Sequence, residues 1–338
     1  MPRFSYGGQA LIEGVLMRGR DSIAVALRHP DGRIVWATER LDSGFHGSRI
    51  AKLPFVRGLV VLYETLIVGT RWLVRSASVQ ASGQGVELGR GPIILMLGVT
   101  LLVGVGVFFL FPLFVAGVTT GGTGDLRQHL LEGLIRAGLF LGYLLVVGQM
   151  PDIKRVFQYH GAEHMTIHAL EANDPLVPSA VRRYPTAHPR CGTEFLVVVI
   201  ALSIVAFAIV GRQTPVVMIG SRIVLIPVIA AVGYEILKFG AKHRANPVVR
   251  AIMYPGILVQ MITTRQPTED MIEVAIVSME QALGADGEKL PDGSGTLRRD
   301  PLDLTVRPSA VRPRPGRRGA KEAEAAAPVS IDPPLPGA

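Results

Sequence analysis

The chain has 338 residues, of which 49% are hydrophobic and only 18% are charged, and its net charge is +8. A typical soluble domain carries roughly 25% charged residues, so this composition favours a membrane protein and excludes a wholly disordered or collagen-like chain. The single cysteine, Cys191, excludes an intrachain disulfide and therefore a disulfide-stapled secreted scaffold.

The first region, residues 1–91, is predicted to lie outside the membrane and to contain a small β-hairpin. Its N-terminus lacks the apolar stretch of a secretory signal. Two apolar-rich segments, 22–27 and 33–37, flank a His-Pro-Asp-Gly sequence at 29–32. Short apolar segments on either side of a turn sequence are typical of a β-hairpin.

Residues 55–74 are predicted to form an interfacial helix. The segment is apolar, but Arg57, Glu64 and Arg71 interrupt it at spacings of seven residues. This spacing places the three charges on one stripe of a helix. An amphipathic helix at the membrane surface is therefore favoured over a fifth span.

Four apolar segments are predicted to cross the membrane, at 92–118, 130–150, 195–210 and 223–237. They define two transmembrane regions, 92–150 and 195–237. The last two segments are shorter than the roughly 20 residues that a span needs, so a hairpin that enters and leaves on one side remains an alternative. Glu132 and Arg136 lie one turn apart in the second segment and are expected to pair and to extend toward the interface.

The basic residues near these segments predict the orientation. They are concentrated before the first segment, between the second and third, and after the fourth. By the positive-inside rule, the N-terminus, the central region 151–194 and the C-terminus lie in the cytoplasm. The expected location is the inner (cytoplasmic) membrane, and the expected partner is the lipid bilayer and not nucleic acid.

The C-terminal third is divided into two predicted regions. Residues 238–283 form a cytoplasmic helical region, with a capped amphipathic helix from Thr268 to Leu283. Residues 284–338 are rich in Pro, Arg, Gly and Ala and are predicted to be a disordered tail. The fold class is therefore mainly α, a polytopic helical membrane protein with about four spans.

The central region contains the residues that point to chemistry. If it is helical, His160, His164 and His168 follow one another at intervals of four residues, and Glu171 joins their stripe. The predicted helix ends at Asn-Asp-Pro, residues 173–175. Three imidazoles on one face of a helix favour a metal site.

The sequence His160-x-x-Glu163-His164 matches the inverted zincin pattern H-x-x-E-H. In that pattern two histidines hold a zinc ion and the glutamate polarises the bound water. His188 and Cys191 follow at a spacing that also chelates, and Arg190 is expected to favour the thiolate.

The alternative is that the histidines are amphipathic anchors and the thiol is a small buried side chain.

Three further residues are considered as additional ligands: His168, Glu13 and Glu235. Glu235 lies 71 residues beyond His164, a separation compatible with the distal glutamate ligand of inverted zincins. The alternative is a structural role, in which Glu235 pairs with Lys238 or Arg244. Glu13 lies in a glycine-rich stretch, 7–19, whose glycines either approach a bound group or permit close backbone packing. The stretch lacks the Gly-Lys-Ser/Thr ending of a nucleotide-binding P-loop.

Four motifs in this order resemble the DUF1385 family, also called YqhQ-like proteins. They are Tyr-Gly-Gly-Gln-Ala-Leu-Ile-Glu-Gly-Val-Leu-Met-Arg-Gly at 6–19, His-Gly-Ala-Glu-His at 160–164, His-Pro-Arg-Cys-Gly-Thr at 188–193, and Leu-Ile-Pro-Val-Ile-Ala at 225–230 with Tyr-Glu at 234–235. The resemblance covers roughly 3–284. It implies a membrane protein and a metal-dependent enzyme, without a settled reaction.

The favoured hypothesis is a metal-dependent hydrolase with a cytoplasmic centre for a divalent metal, zinc being preferred. His160, His164 and one of Cys191 or His188 would hold the metal, Glu163 would be the general base, and the substrate would be a peptide or a lipid-linked molecule near the membrane. If His160, His164, His188 and Cys191 all bind, the site is closed and the zinc is structural in a non-enzymatic scaffold. A transporter is less favoured because the apolar segments carry few polar groups.

Overall fold

The computed structural model describes residues 4–41, 53–83, 85, 89–122, 124–188, 191–211, 214–243 and 245–302. Its strands are β1 (Gly7–Leu11), β2 (Gly14–Arg18), β3 (Ser22–Arg28), β4 (Ile34–Arg40) and β5 (Asp300–Pro301). The helices before the central region are α1 (Val56–Gly83), α2 (Arg90–Val105), a π-helix (Gly106–Leu110), α3 (Phe111–Thr120) and α4 (Leu126–Val147). The remaining helices are α5 (Pro151–Glu171), α6 (Pro178–Val181), α7 (Gly192–Val210), α8 (Pro215–Lys242), α9 (Pro247–Thr263) and α10 (Glu269–Ala285).

The N-terminal region forms a sheet that is larger than the predicted hairpin. Strands β1 to β4 are a consecutive antiparallel meander, and β5 adds a parallel edge beside β4. The predicted hairpin is confirmed as β3 and β4. The strands β1 and β2 were not predicted, because the glycine-rich stretch resembles a loop; Glu13, at a φ of 54°, turns the chain tightly between them.

Helices cover both faces of this sheet. On one face α10 and α5 form the main core with residues of β2 and β3, and Ile272, Met279 and Tyr159 are completely buried there. The Ser278 hydroxyl donates to the carbonyl oxygens of Val15 and Ala24 at 3.0 and 3.1 Å. Each large apolar side chain buried here contributes about 1.5–3 kcal/mol to stability.

The other face of the sheet packs on α1 through the buried side chain of Trp72.

The main core joins three segments that are distant in sequence. It contains residues from 6–34, 159–181 and 271–283, which precede, separate and follow the apolar helices. The region before the first apolar helix, the central region and the region after the fourth therefore lie on the same side of those helices.

Four helices in the described part of the chain are long and apolar enough to cross a membrane: Gly91–Thr120, Leu126–Val147, Gly192–Val210 and Gly220–Lys242. The last two contain the short apolar segments predicted at 195–210 and 223–237, and they have 19 and 23 residues. At about 1.5 Å of rise per residue, these lengths match a hydrocarbon core about 30 Å thick.

A buried ion cluster connects these helices. Glu132 and Arg136 pair at 2.6 Å, as predicted, but the prediction that they extend toward the interface is wrong, since both are buried. Arg222 of α8 pairs with the same carboxylate. Arg136 also donates to Ser203 of α7 at 3.2 Å and to the carbonyl of Phe108 at 3.0 Å. Phe108 lies in the π-helix, where the altered hydrogen-bond ladder makes a carbonyl accessible.

The charged stripe of α1 faces protein. The helix is confirmed and longer than predicted. Each charge pairs with a neighbouring element: Arg57 with Glu235 of α8, Glu64 with Arg18 of β2, and Arg71 with Glu39 of β4. These pairs hold α1 between the sheet and α8.

The C-terminal region differs from the prediction in two respects. Residues 284–302 are ordered, so a disordered tail beginning at 284 is wrong for this part. Asp286 accepts hydrogen bonds from Tyr6 at 3.0 Å and Ser22 at 2.7 Å, and β5 pairs with β4. The remainder of that predicted tail, 303–338, lies outside the described residues. The apolar helix α9, 17 residues long, lies within the predicted helical region 238–283, in which only the helix from Thr268 was predicted individually.

Replacing Glu132 tests the buried ion cluster. Glu132→Gln leaves Arg136 and Arg222 without their counter-charge, so we expect a loss of about 3–5 kcal/mol in the free energy of unfolding. The matched control is Glu39→Gln, which breaks an exposed pair worth at most about 1 kcal/mol. Unfolding in mixed detergent–SDS micelles measures both. Equal effects of the two substitutions would contradict the account.

Candidate metal centre

Helix α5 presents the predicted histidines on one face. It is confirmed as a helix from Pro151 to Glu171, and Asn173 adopts a left-handed φ of 58° after its end, as the Asn-Asp-Pro stop predicts. The rings of His160 and His164 are 4.4 Å apart between centroids. The spacing of four residues therefore brings neighbouring imidazoles into contact.

Backbone carbonyls orient each of the three histidines. His160 Nδ1 donates to Thr263 O at 3.0 Å, and His164 Nδ1 donates to Thr186 O at 2.7 Å. His168 uses the other nitrogen, Nε2, to donate to Ala187 O at 3.0 Å. In a neutral imidazole the second nitrogen is then an acceptor, which is how protein metal sites prepare a histidine ligand.

Burial keeps His164 neutral. Its side chain is surrounded by protein, which holds the pKa well below its usual value, and the neighbouring His160 lowers it further. The neutral form is the one that binds a metal.

One group of ligand atoms consists of His160, His164 and Cys191. One atom from each lies within 4.8 Å of the other two, and His160 Nε2 is 3.2 Å from Cys191 Sγ. Two imidazole nitrogens and a thiolate are a donor set that zinc prefers. The residues present therefore fit the metal that the H-x-x-E-H pattern predicts.

Cys191 precedes the first turn of α7. Burial raises the pKa of its thiol, and hydrogen bonds with Thr193, at 2.8 Å from the hydroxyl, oppose that rise. Arg190, which was predicted to favour the thiolate form of Cys191, lies outside the described residues. A thiolate at this buried position needs a nearby cation, and metal coordination supplies one.

His188 belongs to a second group, with His168 and Glu171. One ligand atom from each of the three lies within 4.8 Å of the others. His188 Nε2 is 3.4 Å from Glu171 Oε2, whereas its ring centroid is 5.7 Å from that of His164. The four residues predicted to share one metal are thus divided between two adjacent groups.

Glu163 is buried directly against strand β1. The backbone of Gly8 hydrogen-bonds to its carboxylate, and a Cβ at Gly8 would lie 3.0 Å from Glu163 Oε1 and 2.4 Å from Leu16 O. Only glycine permits this approach, which confirms close backbone packing in the glycine-rich stretch. Oε2 of Glu163 has no hydrogen-bond partner among the described residues.

The environment of Glu163 favours its protonated form. Burial raises the pKa of this carboxyl to about 8, the neighbouring His160 lowers it, and Cys191 raises it. Glu163, the first group and His188 line one cavity of about 50 Å³, which Gly7 and Gly8 cover. A polar cavity of this volume has room for water.

Helix α9 completes the centre, and sequence reasoning missed its contribution. Gln260 accepts from the His188 backbone N–H at 3.0 Å and donates to Glu194 at 3.2 Å, while Thr263 supplies the carbonyl for His160. A Cβ at Gly161 would lie 2.2 Å from Arg265 O, so this glycine lets the chain after α9 approach α5. In the sequence, the only sign that α9 contributes to the centre was the presence of polar residues at the end of this apolar helix.

Two predicted additional ligands lie elsewhere. Glu13 pairs with Arg155 at 2.6 Å and accepts from Tyr159 at 3.2 Å. Glu235 pairs with Arg57 at 2.7 Å and not with Lys238, one of the two partners expected if its role is structural. The other expected partner, Arg244, lies outside the described residues. Neither carboxylate belongs to the two histidine groups.

Comparison with known proteins identifies the family. The family model described as "Protein of unknown function (DUF1385)" matches residues 53–285. The chain is also 31% identical over 297 residues to "Uncharacterized protein YqhQ" of Bacillus subtilis (strain 168), an alignment that covers 82% of this chain and 92% of that protein. No solved structure matches. The chain therefore belongs to the DUF1385 family.

Proposed function

We propose that this protein is a metal-dependent hydrolase that works at the surface of the bacterial inner membrane. The observation that carries the proposal is the buried Oε2 of Glu163, which has no hydrogen-bond partner among the described residues and belongs to a residue that lines the same small cavity as three candidate metal ligands. An unsatisfied carboxylate oxygen in a buried site costs free energy, so its retention favours a functional role.

The roles of the residues follow from this arrangement. His160, His164 and Cys191 would hold a divalent cation, with zinc preferred by this donor set. Such a cation supplies Lewis acidity toward a substrate carbonyl or phosphoryl oxygen and acidifies water. Glu163 would accept a proton from water in the cavity and return it to the leaving group. The charge of a bound cation would lower the pKa of this buried carboxyl from its raised value and favour the ionised form that accepts the proton.

The division of the histidines favours catalysis over a structural zinc. A structural site uses four protein ligands, whereas a catalytic site keeps one position open. The first group offers three ligands, and His188 lies with Glu171 and His168 in the second. The arrangement therefore leaves a position for water or substrate.

A cleft supports a substrate that comes from the membrane. It has a volume of about 240 Å³, lies between the end of α8 and the apolar helix α9, and reaches His188 and Glu194. Val249, Met253 and Ile257 form its apolar wall. Elsewhere on its surface α9 exposes further apolar side chains, such as Ile252 and Met261. A helix with this exposure suits the membrane interface, so the favoured substrate is an apolar peptide or a lipid-linked molecule.

The proposed topology has four spans with the N-terminus, the central region and the C-terminus in the cytoplasm. Two observations support it: the basic residues around the apolar helices, and the shared core of the three regions on one side of them.

Substitution of Co²⁺ for zinc tests the open position. We expect the purified protein to bind Co²⁺ with a thiolate-to-cobalt absorption band and its visible spectrum to shift when azide is added, because a fourth position accepts an external ligand. Cys191→Ser should abolish the thiolate band. A wild-type spectrum that azide leaves unchanged would establish a closed, structural site and contradict the hydrolase.

Glu163→Gln tests the general base. We expect unchanged zinc content, because Glu163 is not a ligand, and a loss of at least about 100-fold in the hydrolysis of nitrophenyl ester and phosphoester substrates. The matched control is Glu280→Gln, which alters another buried carboxylate and leaves activity near that of the wild type. Undiminished hydrolysis by Glu163→Gln would remove the catalytic role.

Narrowing the cleft tests the origin of the substrate. Met253→Trp places a larger side chain in the cleft beside Gly240. Gly240 has no side chain that could move aside to keep the cleft open. We expect kcat/KM for nitrophenyl dodecanoate to fall about tenfold and that for nitrophenyl acetate to stay within twofold. Met261→Trp on the exposed face of α9 is the control. Equal losses for both esters would contradict binding of an apolar chain in the cleft.

A further inference from the structure

We propose that His168, Glu171 and His188 form a second divalent-cation site beside the first. One ligand atom from each of these residues lies within 4.8 Å of the other two. The inference goes beyond the proposed function, which needs only the group that contains Cys191.

The two groups repeat one arrangement along α5. His160 and His164 are neighbours on the helix face, and one turn later His168 and Glu171 form a second pair at a spacing of three. Cys191 joins the first pair and His188 joins the second, so each group receives two ligands from the helix and one from outside it.

The second group is held in place by its surroundings. His188 is 3% exposed, and its backbone N–H donates to Gln260 at 3.0 Å. His168 donates through Nε2 to Ala187 O at 3.0 Å, and Tyr184 stacks on its ring with an interplanar angle of 9°. Bonding of one imidazole nitrogen to a carbonyl and fixing of the ring are how metal proteins orient a histidine ligand.

Glu171 gives this site a different character from the first. Its side chain is 41% exposed, which provides a route for a cation from solvent. Two imidazoles and a carboxylate form a harder donor set than two imidazoles and a thiolate, so the site accepts Mn²⁺ as well as Zn²⁺. The ring centroids of His164 and His188, one from each group, are 5.7 Å apart, which makes the two sites immediate neighbours.

The competing explanation is a hydrogen-bonded pair. The 3.4 Å contact between His188 and Glu171 would then orient His188 without any cation. The two explanations predict different numbers of bound metal ions, and this difference is directly measurable.

Counting zinc tests the proposal. The full chain, purified in detergent, is equilibrated with ZnCl₂, dialysed, and analysed by mass spectrometry for zinc per protein. We expect two ions in the wild type, one in Glu171→Ala and one in Cys191→Ser. The matched control is Glu39→Ala, which removes a carboxylate of similar exposure, 39%, from an ion pair and should retain two. His168→Ala is a second variant that should also retain one.

The outcomes separate this proposal from the proposed function. A single zinc in the wild type that Cys191→Ser removes and Glu171→Ala retains overturns the second site alone. Two ions that persist in both Glu171→Ala and His168→Ala also overturn it. A wild type without zinc overturns both proposals. Added Mn²⁺ gives an independent reading: its resonance spectrum should report one bound ion in the zinc-free Cys191→Ser variant and none in the zinc-free double variant Cys191→Ser/Glu171→Ala.

Discussion

The structure depends on the need of three imidazoles, one buried and two partly buried, for hydrogen-bond acceptors. Each ring of the series His160, His164 and His168 donates to a backbone carbonyl, and these carbonyls come from two parts of the chain outside α5. An unsatisfied buried donor costs about 1–3 kcal/mol, so the chain at 186–187 and the end of α9 must lie against the helix. The same contacts determine which nitrogen of each ring is available to a metal.

Glycines make this approach possible. Gly161 lets the backbone at Arg265 pass within contact distance of α5, and Gly8 lets strand β1 cover Glu163. A third, Gly256, faces the side chain of Glu194, where a Cβ would lie 2.7 Å away, so α9 packs closely on α7. Because Gln260 bonds both His188 and Glu194, the metal centre is tied to the end of an apolar helix.

The sequence predicted the parts of the centre that depend on side-chain spacing. Intervals of four residues placed the histidines on one face of a helix, and long uncharged segments predicted the four apolar helices, all of which are present. The partners of the histidines could not be predicted, because backbone carbonyls leave no signal in a sequence. The choice between Cys191 and His188 as the third ligand of the first group was left open for a related reason: it depends on how the chain folds against α5, and spacing alone does not determine that. Strand β1 was missed because its glycines, needed for close packing, resemble a loop.

X-ray absorption at the zinc edge of the metal-loaded protein would show whether Cys191 and two histidines of α5 bind one metal. We expect a sulfur neighbour at about 2.3 Å together with nitrogen neighbours at about 2.0–2.1 Å, and loss of the sulfur signal in Cys191→Ser. A zinc spectrum with only nitrogen and oxygen neighbours in the wild-type protein would contradict it.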